Sequence, residues 1–550
     1  MAYIRKFFIN SYDYLFFLIL FLIGVYFYKD FGFNIDESFQ RKSGLYWLKY
    51  VSDFFQANDF SILVEKKLAT ADDFTIPWFG DYGIIFDLPA AFFEVYLGIN
   101  DPLKIYEFRH LLNYIYFIIG VLFFYKLIKK RFSGSFLPIL ASLMLVITPR
   151  VFGDSFHNNK DIIFLTFFII SIYYYFESLD KNSLKNILFL SLFSAIATST
   201  RIFGIVLPIG IFFVFMLSLI SNKNESKKIK FIFLYLLFFF LFLILHWPFL
   251  WENTLNNLYD FLTHYKSSFG PSIVFFNGNF YKPDLVPNYY LTLWILMTTP
   301  IQNLVLFFLG LSVVLNKTLK KLDKINSRRD RNDFWYNNSE KKDFFVLFIF
   351  LILIFVGSFF EIKYYNSWRF FYFLNFFIVY FSVLFLEFYL NETKFKKSIN
   401  YSISIFLFLM IALNIFKIFQ YHPYQSLYFN SLASKEMRKK FEVDFMGLSS
   451  INFLRNLAKE NEKNDKEIKV GVKSWYPIWR TYSLLDEKTK QKIKLIPNDK
   501  IYEAEILYSN RIYDVNIFKS KKYDFDNKFR KTKEFKIDNM IIYEVFERKK

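Results

Sequence analysis

Apolar positions along this chain come in long unbroken blocks separated by short polar stretches, with little short-range alternation before residue 420. Runs such as "YDYLFFLILFLIGVYFY" and "FIFLYLLFFFLFLILHWPFL" are apolar all round a helix. At about 1.5 Å per residue they match a hydrocarbon layer of about 30 Å. The pattern predicts about eleven spans, near residues 12–29, 107–128, 135–149, 161–178, 184–200, 202–221, 229–250, 289–315, 343–360, 370–390 and 399–419. The first run reads as a retained anchor, because "YFYKDFGFN" after it lacks a small-residue cleavage pattern.

With the N-terminus inside, the loops "YKLIKKRF", "LDKNSLK", "NKNESKKIK", "KTLKKLDKINSRRDRND" and "TKFKK" all fall on the cytoplasmic side, as the positive-inside bias requires. Residues 30–106, 251–288 and 420–550 then lie outside. In the first of these segments, "GLYWLKYVSDFF" and "DLPAAFFEVYLG" are amphipathic stretches that suit helices lying along the membrane surface. The tail changes character: "EIKVGV", "KIKLIP", "AEILYSN" and "MIIYEVF" read as strands and "SINFLRNLAKE" as an amphipathic helix. The expectation is a polytopic α-helical membrane protein. Residues 1–419 form its transmembrane domain, and residues 420–550 form a small extracytoplasmic α/β domain.

Composition supports the membrane reading. Of 550 residues, 54% are hydrophobic and 23% aromatic, more than a soluble fold of this size could cover without large exposed apolar patches. The formal net charge of +19 raises the question of nucleic acid. Its lysines and arginines, however, cluster between apolar runs without an aromatic-basic groove pattern, so cytoplasmic loops account for it and no nucleic-acid partner is expected. The chain has no cysteine, which removes disulfides and thiolate metal sites.

Polar residues at the outer ends of the spans need a separate explanation. "FNIDESFQRKSG" places Asp36 and Glu37 just past the first span. "TPRVFGDSFHNNKDIIF" supplies Arg150, Asp154, His157, Asn158, Lys160 and Asp161; "ATSTRIFGI" supplies Arg201; "EIKYYNSWRFF" supplies Glu361, Lys363, Tyr364, Tyr365 and Arg369. Cations kept where topology disfavours them suggest an anionic partner such as a lipid phosphate. A carboxylate beside it can serve as base toward an incoming hydroxyl. Each residue also has a plainer reading. The acidic pair can be a solvated loop, Asp154 a turn residue, His157 a surface histidine, Asp161 a helix N-terminal carboxylate, and Arg201 a side chain reaching head groups.

The first span followed by "IDES" in a long outer loop resembles the glycosyltransferase family 39 group, which includes the dolichyl-phosphate-mannose–protein mannosyltransferases and related bacterial transferases. "HNNKDI", "STRIFGI", "HWPFLW", "YYLTLWILMTTP", "YHPYQSLYFN" and "FEVDFMGLS" resemble blocks at matching places, with Met446 where an aromatic is expected. The resemblance implies the C-type glycosyltransferase membrane fold in a bacterial inner or plasma membrane, with the tail in the periplasm. It implies transfer of a sugar, with inversion, from a polyprenyl-phosphate-sugar donor to a lipid, glycan or protein acceptor. Asp36 would be the base, with Glu37 supporting it or orienting the substrate. Lys160 and Arg201 would hold the lipid phosphate, with Asp161, His157 and Asp154 as further substrate-binding candidates. No cofactor is expected, and the lack of a His-x-x-x-His cluster fits chemistry without a metal. Two other readings stay open: an O-antigen ligase or polymerase using a lipid-diphosphate donor, and a lipid or sugar transporter. A transporter usually shows charges at the membrane midplane.

Overall fold

The computed structural model describes residues 2–549 apart from 72–79, 81, 135, 222–224, 268–272, 327–333, 336, 366, 392–396, 463–465, 513, 515 and 517–521. Parts of the basic loops "NKNESKKIK", "KTLKKLDKINSRRDRND" and "TKFKK" therefore lie outside the described residues.

Each of the expected spans coincides with apolar helix. Among the described residues seven helices are long and apolar enough to cross a membrane: Pro102–Arg131, Asp161–Asp180, Ile202–Ile220, Lys228–Leu245, Ile301–Lys324, Asn338–Phe359 and Ser404–Tyr421. Tyr12–Phe27, Leu184–Thr200 and Leu374–Leu390 are shorter apolar helices. Two expected spans are not single rods. The 135–149 run is the helix Leu137–Val146, which bends by 68° into a second helix, Pro149–His157. The 289–315 run divides into Tyr290–Thr298 and Ile301–Asn326. Both breaks fall at a proline, Pro149 and Pro300, which disfavours helical geometry in the residue before it and lacks an N–H. The chain is a multi-span membrane protein.

Helix Asp161–Asp180 is central, with 78% of its apolar window buried inside the protein, against 17% for Ser404–Tyr421, which is left to face lipid. Phe164 and Phe168 of the central helix pack on Phe373, with ring centroids 4.7 and 5.1 Å away. Each aromatic pair of this kind adds about 0.5–1.5 kcal/mol to simple burial. This helix carries Asp161 at its first residue, so dense packing holds a charged side chain at a fixed height.

Both amphipathic stretches expected in residues 30–106 are helical, and a third helix lies between them. Helices Glu37–Phe54, Asn58–Ala69 and Asp87–Tyr96 pack together around Leu45, Leu48, Val64 and Ala91. Gly44 allows close contact: a Cβ there would meet the Asp87 carbonyl oxygen at 2.3 Å. The acidic pair is thus a helix start and not an open loop, with Asp36 at the N-cap and Glu37 as the first helical residue. The segment 251–288 holds a helix, Thr254–Ser267, and a short antiparallel hairpin of β1 (Val274–Phe276) and β2 (Asn279–Tyr281).

The tail contains the expected strands and helix. Strands β3 (Ile468–Val472), β4 (Ile493–Leu495), β5 (Ile506–Ser509), β6 (Phe529–Ile537) and β7 (Met540–Arg548) form a mixed sheet in the order β4-β3-β5-β7-β6. Strand β6 escaped sequence reading because "FRKTKEFKI" is an exposed edge strand rich in lysine, a composition that blunts edges against aggregation. Its hairpin to β7 turns at Asp538 and Asn539, both with positive φ, as a two-residue hairpin loop requires. The Asp538 carboxylate accepts from Lys417 at 3.2 Å and Tyr421 at 3.0 Å, tying the hairpin to the end of the last membrane helix. One buried apolar cluster runs from the membrane helices into the tail, reaching Leu448, Ile451, Val470 and Tyr508.

Candidate active site

The polar residues gathered from four separate stretches of sequence meet at one end of the helices. Asp36 and Glu37 take opposite environments there, because successive residues of a helix point about 100° apart. Glu37 turns inward, only 2% exposed, with its carboxylate 3.0 Å from His110 Nε2 and accepting the Asn34 N–H at 2.9 Å. Asp36 turns outward. Its side chain is 38% exposed, and Oδ2 lies 2.6 Å from Arg369 Nη1.

Three further carboxylates in the cluster are nearly sealed: the side chains of Asp87, Asp154 and Asp161 are 3%, 5% and 1% exposed. Lys160 donates to Asp87 at 2.6 Å, and Arg109 donates to the same carboxylate at 2.6 Å. Arg201 pairs with Asp161 at 2.7 Å. Asn158 joins the carboxylates, donating to Asp154 at 3.0 Å and to Asp161 at 2.9 Å, while its own oxygen accepts the Asp161 N–H. Tyr82 lies near both cations expected at a phosphate, its ring centroid 4.6 Å from Lys160 Nζ and 5.3 Å from the Arg201 guanidinium. His157 is buried rather than at the surface, with Nδ1 3.3 Å from Asn34 and Nε2 3.7 Å from Asp154.

Some candidates serve other ends. Arg150 donates to the Tyr428 carbonyl at 2.8 Å and to Ser367 at 3.0 Å, and lies over Trp294 and Phe429. Tyr364 is buried and donates to the Gly357 carbonyl at 2.6 Å. Tyr365 places its ring 5.7 Å from the Arg369 guanidinium. Glu361 is exposed, and Lys363 is half-buried.

Sequence reading missed Asp87, Arg109, His110 and Tyr82. The signal was present for three of them. Asp87 falls on the buried side of an amphipathic helix, and Arg109 and His110 open an apolar run, where ionisable residues are costly and usually have partners. Arg41 and Glu94 form a further buried pair at 2.7 Å, joining helix Glu37–Phe54 to helix Asp87–Tyr96.

Two cavities open at this end. A small one of about 50 Å³ lies between the bent helix and the tail, lined by Asn34, Arg150, Asp154, His157, Arg369 and Glu442 among others. The other, about 500 Å³, is bordered by Arg41, Lys66, Lys67, Tyr106 and Leu484, and is in the size range of small-molecule sites. Among the described residues no group of three or more His, Asp or Glu side chains is arranged to hold a metal ion.

No curated protein matches the chain. Among solved structures it is similar to ArnT from Cupriavidus metallidurans bound to undecaprenyl phosphate, at 9% identity over 98% of both chains with a TM-score of 0.44. It is also similar to the archaeal oligosaccharyltransferase AglB from Archaeoglobus fulgidus in complex with an inhibitory peptide and a dolichol-phosphate, at 13% identity over 92% of this chain and 70% of that one, with a TM-score of 0.46. A family model described as dolichyl-phosphate-mannose-protein mannosyltransferase matches residues 110–251, the stretch that holds His110, Asp154, His157, Lys160, Asp161 and Arg201, and over that stretch it bears out the resemblance read from the sequence.

Proposed function

We propose that this protein is an inverting membrane glycosyltransferase that moves a sugar from a polyprenyl-phosphate donor to an acceptor hydroxyl or similar group at the outer face of the membrane. The observation that carries the reading is a difference in access. Of the five carboxylates Asp36, Glu37, Asp87, Asp154 and Asp161, only Asp36 has an exposed side chain, and it sits at the head of a surface helix beside an arginine.

In this reading the acceptor hydroxyl gives its proton to Asp36 as its oxygen attacks the anomeric carbon. The bond from that carbon to the phosphate oxygen breaks, and the electron pair leaves on the polyprenyl phosphate. A single displacement inverts the anomeric centre. Arg201 and Lys160, both near the Tyr82 ring, would hold the phosphate in this reading, and charge-assisted hydrogen bonds to an oxyanion are the strong kind. Asp161 and Asp87 hold these cations in place before donor arrives. Glu37, bonded to His110 and to the Asn34 N–H, acts as a positioning residue for the turn that presents Asp36.

The test is a product assay. Purified protein is incubated with labelled polyprenyl-phosphate sugars and a lipid extract, and the labelled product is identified. Labelled sugar should move to an acceptor with release of polyprenyl phosphate. Transfer only from lipid-diphosphate donors would favour the ligase or polymerase reading. Movement of intact donor without new product would favour transport.

A further inference from the structure

Ile35 immediately precedes Asp36, and both of its backbone polar groups are held by the tail. Its N–H donates to the Met446 carbonyl at 3.1 Å, and its carbonyl accepts from Arg480 Nη1 at 3.2 Å. Nearby, Gly32 lies so close to the Leu448 carbonyl that an added Cβ would meet that oxygen at 2.0 Å. The short stretch 32–35 is therefore pinned between residues 446–448 and the helix Ile478–Ser483.

The holding parts are themselves firm. Gly447 takes a positive φ of 77°, and the Asp444 carboxylate accepts the Leu448 and Ser449 N–H groups at 2.9 and 3.1 Å, which fixes the turn that offers the Met446 carbonyl. Arg480 is 5% exposed and lies 5.1 Å from the Trp479 ring centroid.

The Ile35 carbonyl and the Asp36 N–H belong to one planar peptide unit. Arg480 takes the carbonyl end of that plane, and Asn34 Oδ1 accepts from the N–H end at 3.0 Å. With both ends held, the Asp36 side chain hangs from a fixed plane and keeps only its own φ and side-chain torsions. We propose that the C-terminal domain sets the position of Asp36 for proton transfer, with Arg480 as the positioning residue. The inference rests on the reading of Asp36 as the base. It gives the tail a part in the reaction, although Arg480 lies 445 residues from Ile35 in sequence.

The test uses full-length purified protein and the labelled polyprenyl-phosphate sugar that gives product in the transfer assay. Arg480→Ala should lower kcat by about ten- to a hundredfold, the usual effect of misplacing a reacting group by about 1 Å, with donor KM within about twofold and the melting temperature close to wild type. Arg480→Lys, which still carries a donor, should recover much of the loss. Asp36→Asn/Arg480→Ala should be no slower than Asp36→Asn alone, because a base that cannot accept a proton gains nothing from its position. Where Arg480→Ala does not fold, Arg480→Met keeps a long unbranched side chain without a donor and carries the same expectation. Wild-type kcat in the arginine variants beside an inactive Asp36→Asn overturns this inference alone. So does a further loss on top of Asp36→Asn, or a loss matched by the loss of folded protein. Wild-type turnover in Asp36→Asn overturns the base, and this inference with it.

Discussion

The same helices carry charged clusters at both ends, and the two clusters differ in completeness. At the end opposite Asp36, Arg131 donates to Asp343 at 2.8 Å and to Glu387 at 3.3 Å, and Tyr380 donates to Asp343 at 2.7 Å. Beside them Lys342 pairs with Asp180 at 2.8 Å, and Lys130 pairs with Glu177 at 2.8 Å. None of these side chains leaves a buried polar atom without a hydrogen bond. At the Asp36 end, by contrast, Arg109 Nε and Nη1, His157 Nε2, Arg369 Nε and Glu442 Oε2 are buried without one. An orphaned buried polar group costs about 1–3 kcal/mol, so a fold that keeps several together has a use for them or fills the space with water. A closed ionic net fastens helices, whereas an open one leaves polar atoms free to meet water or a polar ligand.

The comparison predicts that substitutions at the two ends fail in different ways, and the largest effect belongs to the exposed carboxylate. Asp36→Asn keeps shape and much of the hydrogen bonding to Arg369 but removes basicity. Turnover in the transfer assay should fall by about a hundred- to ten-thousandfold, the span of general-base assistance, while the melting temperature stays near wild type. Glu37→Gln should lower turnover less, since Glu37 faces His110 and the Asn34 N–H and not the open side. A slow Glu37→Gln beside a normal Asp36→Asn would exchange the two roles.

The opposite end should show the reverse pattern. Arg131→Ala leaves Asp343 and Glu387 buried without their cation, a loss of about 3–5 kcal/mol when one partner of a buried pair is removed. Thermal unfolding in detergent should drop clearly, while kcat per folded molecule stays within about twofold of wild type. An Arg131→Ala protein of normal stability and low kcat would make both ends functional and end the contrast.

Much of this arrangement could be read from sequence, and the limits of that reading are physical. Apolar runs give spans because hydrocarbon demands internally bonded helices, so every expected span was helix in the structure. Breaks at Pro149 and Pro300 were visible as residues but not as bends, because a proline inside an apolar run can end, kink or only interrupt a helix. The converging residues Asp36, Asp154, His157, Lys160, Asp161 and Arg201 were legible as charges out of place. Their partners were not. Asp87 and Arg109 look like ordinary residues of amphipathic and membrane helices until folding lets Asp87 accept from both Lys160 and Arg109. The hold of Arg480 on Ile35 spans the chain and leaves no local pattern at all.

A smaller effect on turnover is expected from the cation next to the central helix. Arg201→Ala removes a guanidinium that stacks 4.5 Å from the Phe370 ring centroid and pairs with Asp161. One charge-assisted phosphate contact is worth about 1.5–3 kcal/mol, so donor-dependent kcat/KM should fall about ten- to a hundredfold. If Arg201 only fastens helices as Arg131 does, the variant will lose melting temperature and keep its kcat/KM. That outcome would move Arg201 to the structural side of the comparison.

The most delicate difference concerns Glu442, which the tail brings to the small cavity beside Arg369 and His157. One carboxylate oxygen accepts the Ile512 N–H at 3.2 Å; the other is buried without a partner. Burial pushes its pKa up from 4.5 to about 7; Asp444 adds to the rise, while Arg511 and the backbone N–H groups of Ile512 and Val443 oppose it. An acid raised in the folded state holds its proton there after the unfolded chain has released it. Its contribution to stability is therefore full below about pH 4.5 and is lost as pH rises through about 7. The shift corresponds to at most about 3 kcal/mol, and relaxation around the group should reduce it to about 1–2 kcal/mol. Asp444, raised by burial to about 6, adds its own pH dependence to both proteins, and only its coupling to Glu442 differs between them. Glu442→Gln stays neutral at every pH. Melting temperatures of the two proteins should coincide near pH 4.5 and separate towards pH 8, with the variant the more stable. Parallel curves across that range would mean that Glu442 is at ease as a carboxylate, and the tail side of the cavity would then be as well satisfied as the net around Arg131.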